Sequence, residues 1–336
     1  MYKNKWITIL MASLLALSLC NISCDKVDEE GFTSFNYNIT GSGYIINVIN
    51  NSKSSLKMAV RVINDNAVIE ALNNASIRGV DVDIVLDAES TITGLATDIE
   101  VISGNSSGNM DSNMVISDNV SVTFLSTSDF SRFDILYITI TGIYMLDMVN
   151  TEFNQMFTLQ RFGLGVGPFK ENAKQQLNYI TDFFAGRNEL HMYMVPQNMV
   201  ISDKASYLLA QIYQAKYSLY VAAQYINNDL LSRSFLDAKY GGIATTIVIG
   251  QEQNTITTSF DDTEVRNSDS TTVVAGNLGY NLIFIDVGTN QRRMIFTTFP
   301  LNSNGTIEVS DGICLILNGP SVDDLHSEVV SRVSVK

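Results

Sequence analysis

Apolar and polar residues alternate with period two at Leu56, Met58, Val60 and Val62, separated by Lys57, Ala59 and Arg61, as in a half-buried strand. Asn64, Asp65 and Asn66 suit a helix start, and Val68, Ala71, Leu72 and Ala75 then recur at helical spacing. After a turn at Arg78 and Gly79, Val80, Val82, Ile84 and Leu86 alternate again. Strand, helix and strand in that order predict a βαβ unit with parallel strands and a right-handed crossover.

The same pattern returns later in the chain. Residues 49–87 align without a gap on residues 212–250, at a constant offset of 163, with 11 identities in 39 positions. The identities include Lys53 with Lys216, Ser55-Leu56 with Ser218-Leu219, Ile63-Asn64 with Ile226-Asn227, and Gly79 with Gly242. Composition rich in Ile, Asn and Ser makes some matches cheap, but the order of strand, helix, glycine turn and strand repeats as well. A structural repeat of this kind fixes the domain organisation before any motif does. The expected architecture is α/β, with two similar lobes related by pseudo-twofold symmetry, each a largely parallel sheet flanked by helices.

Further elements fill out the second half. Lys170 onward reads as a helix with Leu177, Ile180 and Phe184 on one face. A strand runs from Leu190 to Val195, and a second helix follows a cap at Ser202. Between the halves, Gly163-Leu164-Gly165-Val166-Gly167-Pro168 lacks the G-x-G-x-x-G spacing of a dinucleotide loop and ends in proline, so it reads as a linker. The expected boundaries are a leader over 1–23, a tether over 24–35, repeat 1 over 36–162, a linker over 163–169 and repeat 2 over 170–336.

The start of the chain changes the picture of where the protein works. Lys3 and Lys5 precede an apolar run from Trp6 to Leu19, 14 residues long, and cysteines follow at once. That order is a signal peptide, and the run is shorter than the roughly 20 residues a membrane-crossing helix needs. The region resembles a lipoprotein signal, which implies a lipidated cysteine. Cys24 has the small Ser23 before it; Cys20 has Leu17 three residues before it and is the alternative attachment site. The expected location is therefore the bacterial cell envelope, with a lipid anchor holding the chain at the periplasmic or outer surface; an ordinary cleaved signal that leaves a soluble periplasmic or secreted protein is the alternative.

Composition narrows the partners. With 46% hydrophobic residues the chain can bury a core. Acids outnumber bases 35 to 21, giving a net charge of −14, so nucleic acid is not an expected partner. The membrane, through the lipid, and an unidentified protein or small-molecule ligand are. Cys314 lies in the apolar run Gly312 to Leu317 and reads as a buried thiol. No zinc-type ligand spacing occurs, and neither a cofactor nor a metal is expected. Asp81, Asp83 and Asp87 alternate on one strand, which favours an outer face over a calcium loop. His191 reads as a structural histidine, and His326 as a solvent-facing one on a last helix begun by a Ser321–Asp324 capping box. Tyr213, Tyr217, Tyr220 and Tyr225 read as core and rim, with a sugar-stacking platform as the alternative.

The two βαβ copies resemble the opening units of phospholipase D-like proteins. The segment "GYNLIFID", Gly279 to Asp286, followed by "RRMIFTTFPLNS", is similar to that family's H-x-K-x-x-x-x-D strand and turn. "SDGICLILNGPSVDDLHSEVVSRV" is similar to its closing strand and helix, and "DILYITIT", Asp134 to Thr141, is taken as the first-half motif. The resemblance implies one active site shared between two lobes. One histidine would attack phosphorus, the other would protonate the leaving group, and two lysines would hold phosphate oxygens. Here the implied positions carry Asp134, Leu136 and Thr141 in the first half and Gly279, Asn281 and Asp286 in the second. Only Asp286 keeps its family identity. The expectation is a catalytically degenerate member acting as a binding or scaffold module. Two alternatives stand beside it: a divergent hydrolase using Asp134, Asp147 or Asp286 at the old cleft, and an envelope protein shaped by surface exposure.

Overall fold

The computed structural model describes residues 34–87, 92–103, 109–161, 181–185, 188–195, 208–224, 226–227, 229–249, 272–274, 278–299, 301–302 and 310–334. In chain order the first part holds β1 (Ser34–Thr40), α1 (Gly43–Asn51), β2 (Ser55–Val60), α2 (Asn66–Ile77), β3 (Asp81–Leu86), β4 (Glu100–Ser103), β5 (Asn109–Asp111), β6 (Met114–Ser117), β7 (Ser121–Leu125), β8 (Ile135–Thr141) and α3 (Ile143–Arg161). The second part holds β9 (Thr181–Ala185), β10 (Asn188–Val195), β11 (Ser218–Ala223), β12 (Ile226–Asn227), α4 (Asp229–Tyr240), β13 (Ala244–Ile249), β14 (Thr272–Val274), β15 (Asn281–Ile285), β16 (Arg293–Thr297), β17 (Leu301–Asn302), β18 (Ser310–Asn318) and α5 (Ser321–Ser334). β1 thus begins inside the stretch assigned to the tether.

The repeat is present in register. β2 and β11, α2 and α4, and β3 and β13 each start 163 residues apart, the offset read from the sequence. The glycine turns at Gly79 and Gly242 take φ of 85° and 87°, a left-handed conformation that glycine adopts without steric cost. Asp65 caps α2 by accepting from the Ala67 N–H, and Val68, Ala71, Leu72 and Ala75 are buried along its inner face.

Sheet order repeats too. The first lobe runs β1-β8-β7-β6-β2-β3-β4, and the second runs β10-β18-β16-β15-β11-β13-β14, with β9 added beyond β10 and β5 beside β18. The expected two α/β lobes are therefore observed, but the sheets are not largely parallel. Apart from β5, which pairs in parallel with β18, parallel pairing within the two large sheets is confined to β2-β3-β4 and to β11-β13-β14. The remaining neighbours are antiparallel. Only the βαβ part needs a crossover helix; β6 and β7, and β15 and β16, are joined by short turns, which make antiparallel pairs. Phe184, expected on a helix, pairs in β9 with Glu189 of β10.

Three cores account for the layers. α1 and α2 cover one face of the first sheet, with Ile45, Ile49, Val68 and Leu72 against Leu56, Met58 and Ile84. Leu208, Ile212, Leu231 and Phe235 cover the matching face of the second. The opposite faces of both sheets share one continuous core with α3 and α5, joining Phe124, Ile138, Val149 and Phe153 to Phe284, Phe296, Leu315, Leu325 and Val329. The halves therefore meet through apolar surface whose burial drives folding. β5 adds to this union. It lies in the first half yet pairs in parallel with β18, Asn109 opposite Ser310 and Asp111 opposite Gly312.

Candidate functional site

Backbone clamps at two aspartates reveal which strands correspond. Asp286, at the end of β15 with φ 52°, accepts from the Lys216, Tyr217 and Ser218 N–H groups at 2.7–3.1 Å. Asp118, at the end of β6 with φ 55°, accepts from the Lys53, Ser54 and Ser55 N–H groups at 2.7–3.2 Å. These donors are the offset pairs of the repeat. Burial works to raise the Asp118 pKa, but the hydrogen bonds from Ser54, Lys53 and Ser55 outweigh it and hold the carboxyl below its ordinary value.

This corrects the position of the first-half motif. β6 and β15 both run antiparallel to the first strand of their βαβ unit, so the counterpart of Gly279, Asn281 and Asp286 is Asp111, Asn113 and Asp118. Asp134, Leu136 and Thr141 belong instead at and within β8, which matches β18 in sheet order. Periodicity could not separate them, because β6, β7 and β8 are all apolar antiparallel strands. The corrected segment reads D-S-N-M-V-I-S-D, so both halves have the aspartate, and both have asparagine where the resemblance implies lysine.

The corrected positions are buried. Asp111, Asn113 and Asn281 are 6%, 3% and 4% exposed. Asn281 links three segments, its Nδ2 donating to the Phe299 carbonyl and its Oδ1 accepting from the Gln224 N–H, both at 3.2 Å. Thr297 Oγ1 donates to the same Phe299 carbonyl at 2.8 Å. Asn113 has φ 37°, and its carbonyl accepts from the Leu125 N–H at 2.8 Å. An amide in the lysine position therefore braces the turn after β16 instead of presenting a positive charge to a ligand.

Across the lobes, Asp134 and Gly279 lock together. Asp134 Oδ2 accepts from the Gly279 N–H at 2.8 Å, and its Oδ1 lies 3.3 Å from Arg132 Nε. Ser126 Oγ donates to the Gly279 carbonyl and accepts from the Leu136 N–H at 3.0 Å. A Cβ at Gly279 would meet the Asp134 carbonyl oxygen at 2.8 Å and its Oδ1 at 2.9 Å. The second histidine position is thus glycine where no side chain fits. Arg132 Nη2 is buried and finds no hydrogen-bond acceptor among the described residues. This cation at the old motif escaped the sequence reading, because its loop carries no period and only the Arg-x-Asp spacing hinted at the pair.

The alternative carboxylate set does not assemble. Asp134 lies at the lobe contact, Asp147 is exposed on α3, and Asp286 sits at the far end of β15 from Asn281, clamped by amides. Asp87 pairs with Arg61 at 3.7 Å, and no group of three metal-binding side chains occurs among the described residues. His191 Nε2 lies 3.5 Å from Glu189, consistent with a structural role. His326 differs from expectation. It packs edge-on against Tyr220 and Phe284, with ring centroids 4.9 and 5.1 Å away, and burial lowers its pKa against the opposing effect of Asp323. The Ser321–Asp324 box is replaced by a pair of bonds between Ser321 and Asn188. Cys314 is 1% exposed, and burial pushes its thiol up to about 12. Cys20, Cys24, Tyr225, Ser202 and the linker over 163–169 lie outside the described residues.

Comparison with known proteins bears on the whole arrangement. The family profile described as cardiolipin synthase, phospholipase D-like domain, matches residues 45–133, a span that includes Asp111 to Asp118 and stops before Asp134. No curated protein sequence matches the chain. Among solved structures, phosphatidylserine synthase of Haemophilus influenzae Rd KW20 superposes with a TM-score of 0.61 at 10% identity, over 89% of this chain and 84% of that one. Polyphosphate kinase of Porphyromonas gingivalis superposes with a TM-score of 0.56 at 9% identity, over 90% of this chain but only 50% of that one. With its sheet order repeated in two halves and a domain profile matched in the first, this chain has the two-lobed phospholipase D-like fold.

Proposed function

We propose that the chain is a lipid-anchored lipoprotein of the bacterial envelope, attached through Cys24, whose phospholipase D-like fold serves as a binding or scaffold module and not as a phosphodiesterase. The observation that supports the second part is the state of the motif positions. Phosphodiester chemistry of the family's kind needs a nucleophile, an acid and cations placed against developing negative charge. At those positions this chain has Asp111 and Gly279 for histidines and Asn113 and Asn281 for lysines, with the second pair tied into the lobe contact and the turn after β16. Arg132, a cation beside Gly279, faces Asp134, so its charge is compensated.

The test uses full-length protein extracted in detergent. It is incubated with bis-p-nitrophenyl phosphate and, separately, with phosphatidylglycerol vesicles. The expected result is no turnover above a blank. Turnover that Asp134→Ala or Asn281→Ala abolishes would overturn the non-catalytic reading. Intact mass of the membrane-extracted chain tests the anchor. A diacylglyceryl-modified product beginning at Cys24 is expected, and an unmodified chain refutes the anchor.

A further inference from the structure

The end of the second lobe away from Gly279 and Asn281, beside the Asp286 clamp, carries an open cavity of about 480 Å³. Its walls come from the residues before β11, the β15–β16 turn, and the strand ends at Glu189 and Asn318. Three of its lining side chains, Lys216, Arg292 and Arg293, are basic in a chain whose net charge is −14. They are not equivalent. Arg292 is paired with Asp323. Arg293 spends Nη1 on the amide oxygens of Gln211 and Gln214, and Nε on Asn318 at 3.2 Å. Its charge is therefore met by neutral amides, while the fork that would clamp an oxyanion with two parallel bonds is occupied. Lys216 is exposed, and its ammonium has no partner among the described residues.

We propose that this cavity binds a sugar acid, a saccharide bearing one carboxylate. The unpaired Lys216 ammonium supplies a point charge for the carboxylate, and Arg293 adds positive field from the wall. Side-chain amides of Gln214, Asn290 and Gln291 line the remainder and match hydroxyl groups, which both donate and accept. Tyr213 lines the same cavity and is 63% exposed, leaving a ring face for the apolar side of a pyranose. Glu189, also in the lining, accepts from sugar hydroxyls and opposes a second negative charge, which selects against a phosphate dianion. The volume falls in the usual range for small-ligand sites, about 300–1,000 Å³. The site is separate from the lobe contact, so it stands whether or not chemistry occurs there.

Calorimetric titration of the full-length chain in detergent tests this with glucuronate, glucose and glucose 6-phosphate as probes. Glucuronate is expected to bind most tightly of the three. Lys216→Met should weaken glucuronate by about three- to tenfold while changing glucose little. Tyr213→Ala should weaken glucuronate and glucose alike. Both side chains are exposed, so unchanged far-UV circular dichroism is the folding control. Glucuronate binding no tighter than glucose, tightest binding of glucose 6-phosphate, indifference to Lys216→Met, or no binding of glucuronate would each overturn the proposal.

Discussion

Replacing Asp134 by alanine is expected to destabilise the protein by about 3 kcal/mol, although Asp134 is not a core hydrophobe. Its carboxylate takes a charge-assisted bond from the Gly279 N–H at 2.8 Å, an interaction of about 1.5–3 kcal/mol. It also faces Arg132, and the side chains of this pair are 11% and 17% exposed. Removing one member of a well-buried pair costs about 3–5 kcal/mol, and partial solvent access brings this pair below that range. Asp134→Asn keeps an acceptor for Gly279 and should cost less than Asp134→Ala. Arg132→Met placed on Asp134→Ala should recover part of the loss, because the uncompensated charge is then gone. Urea unfolding followed by far-UV circular dichroism measures all three. A loss below about 1 kcal/mol for Asp134→Ala, or no recovery in the double variant, would refute the reasoning.

Three further outcomes are expected. Gly279→Ala should destabilise by about 1–3 kcal/mol in the same urea assay, since its Cβ meets backbone and carboxylate oxygens of Asp134 at 2.8–2.9 Å; a neutral effect would contradict the close approach. An unfolded histidine titrates near about 6.5 and folded His326 lower, so the unfolded state binds more protons between the two values. Stability from His326 is then complete above the unfolded value and lost as pH falls through the folded one. A ring-proton titration by NMR should show the depressed pKa, and the wild-type advantage over His326→Phe should shrink on acidification. In a Cys20→Ser/Cys24→Ser background, Cys314 should stay unreacted with a thiol reagent at pH 8 until urea is added, because its thiol is buried and its pKa is pushed up to about 12; stoichiometric labelling of the folded chain would contradict this.

The βαβ units were legible because each shows two periods joined by a glycine turn, and tertiary packing agrees with both. Val68, Ala71, Leu72 and Ala75 are buried where helical spacing put them, and the 163-residue offset survives to the residue in three elements. What followed each unit was less legible. β6 is four residues long, so β8, seven residues and more evenly apolar, attracted the motif alignment. The Asp118 and Asp286 clamps, which settle the register, bind backbone N–H groups that leave no trace in side-chain pattern. The lobe contact at Arg132, Asp134 and Gly279 joins residues 145 positions apart, and a single sequence shows no sign of such a pairing. His326 was misplaced because helical spacing gives a face but not the partner, and Tyr220 with Phe284 lies beneath it.

The pairing of β5 with β18 also constrains how the chain can fold. Every other strand of the first lobe finds its neighbours within that lobe, whereas β5 must wait for Ser310 to Gly312, roughly two hundred residues later. The entropy of closing so long a loop grows only slowly with length, but the wait itself leaves an extended segment with unpaired backbone groups. Until β18 arrives, that segment is an open template for pairing with another molecule. The last strand of the chain therefore acts as the closure of both lobes: it completes the second sheet, caps β5 of the first half, and ends the period in which the nascent protein is most prone to associate with itself.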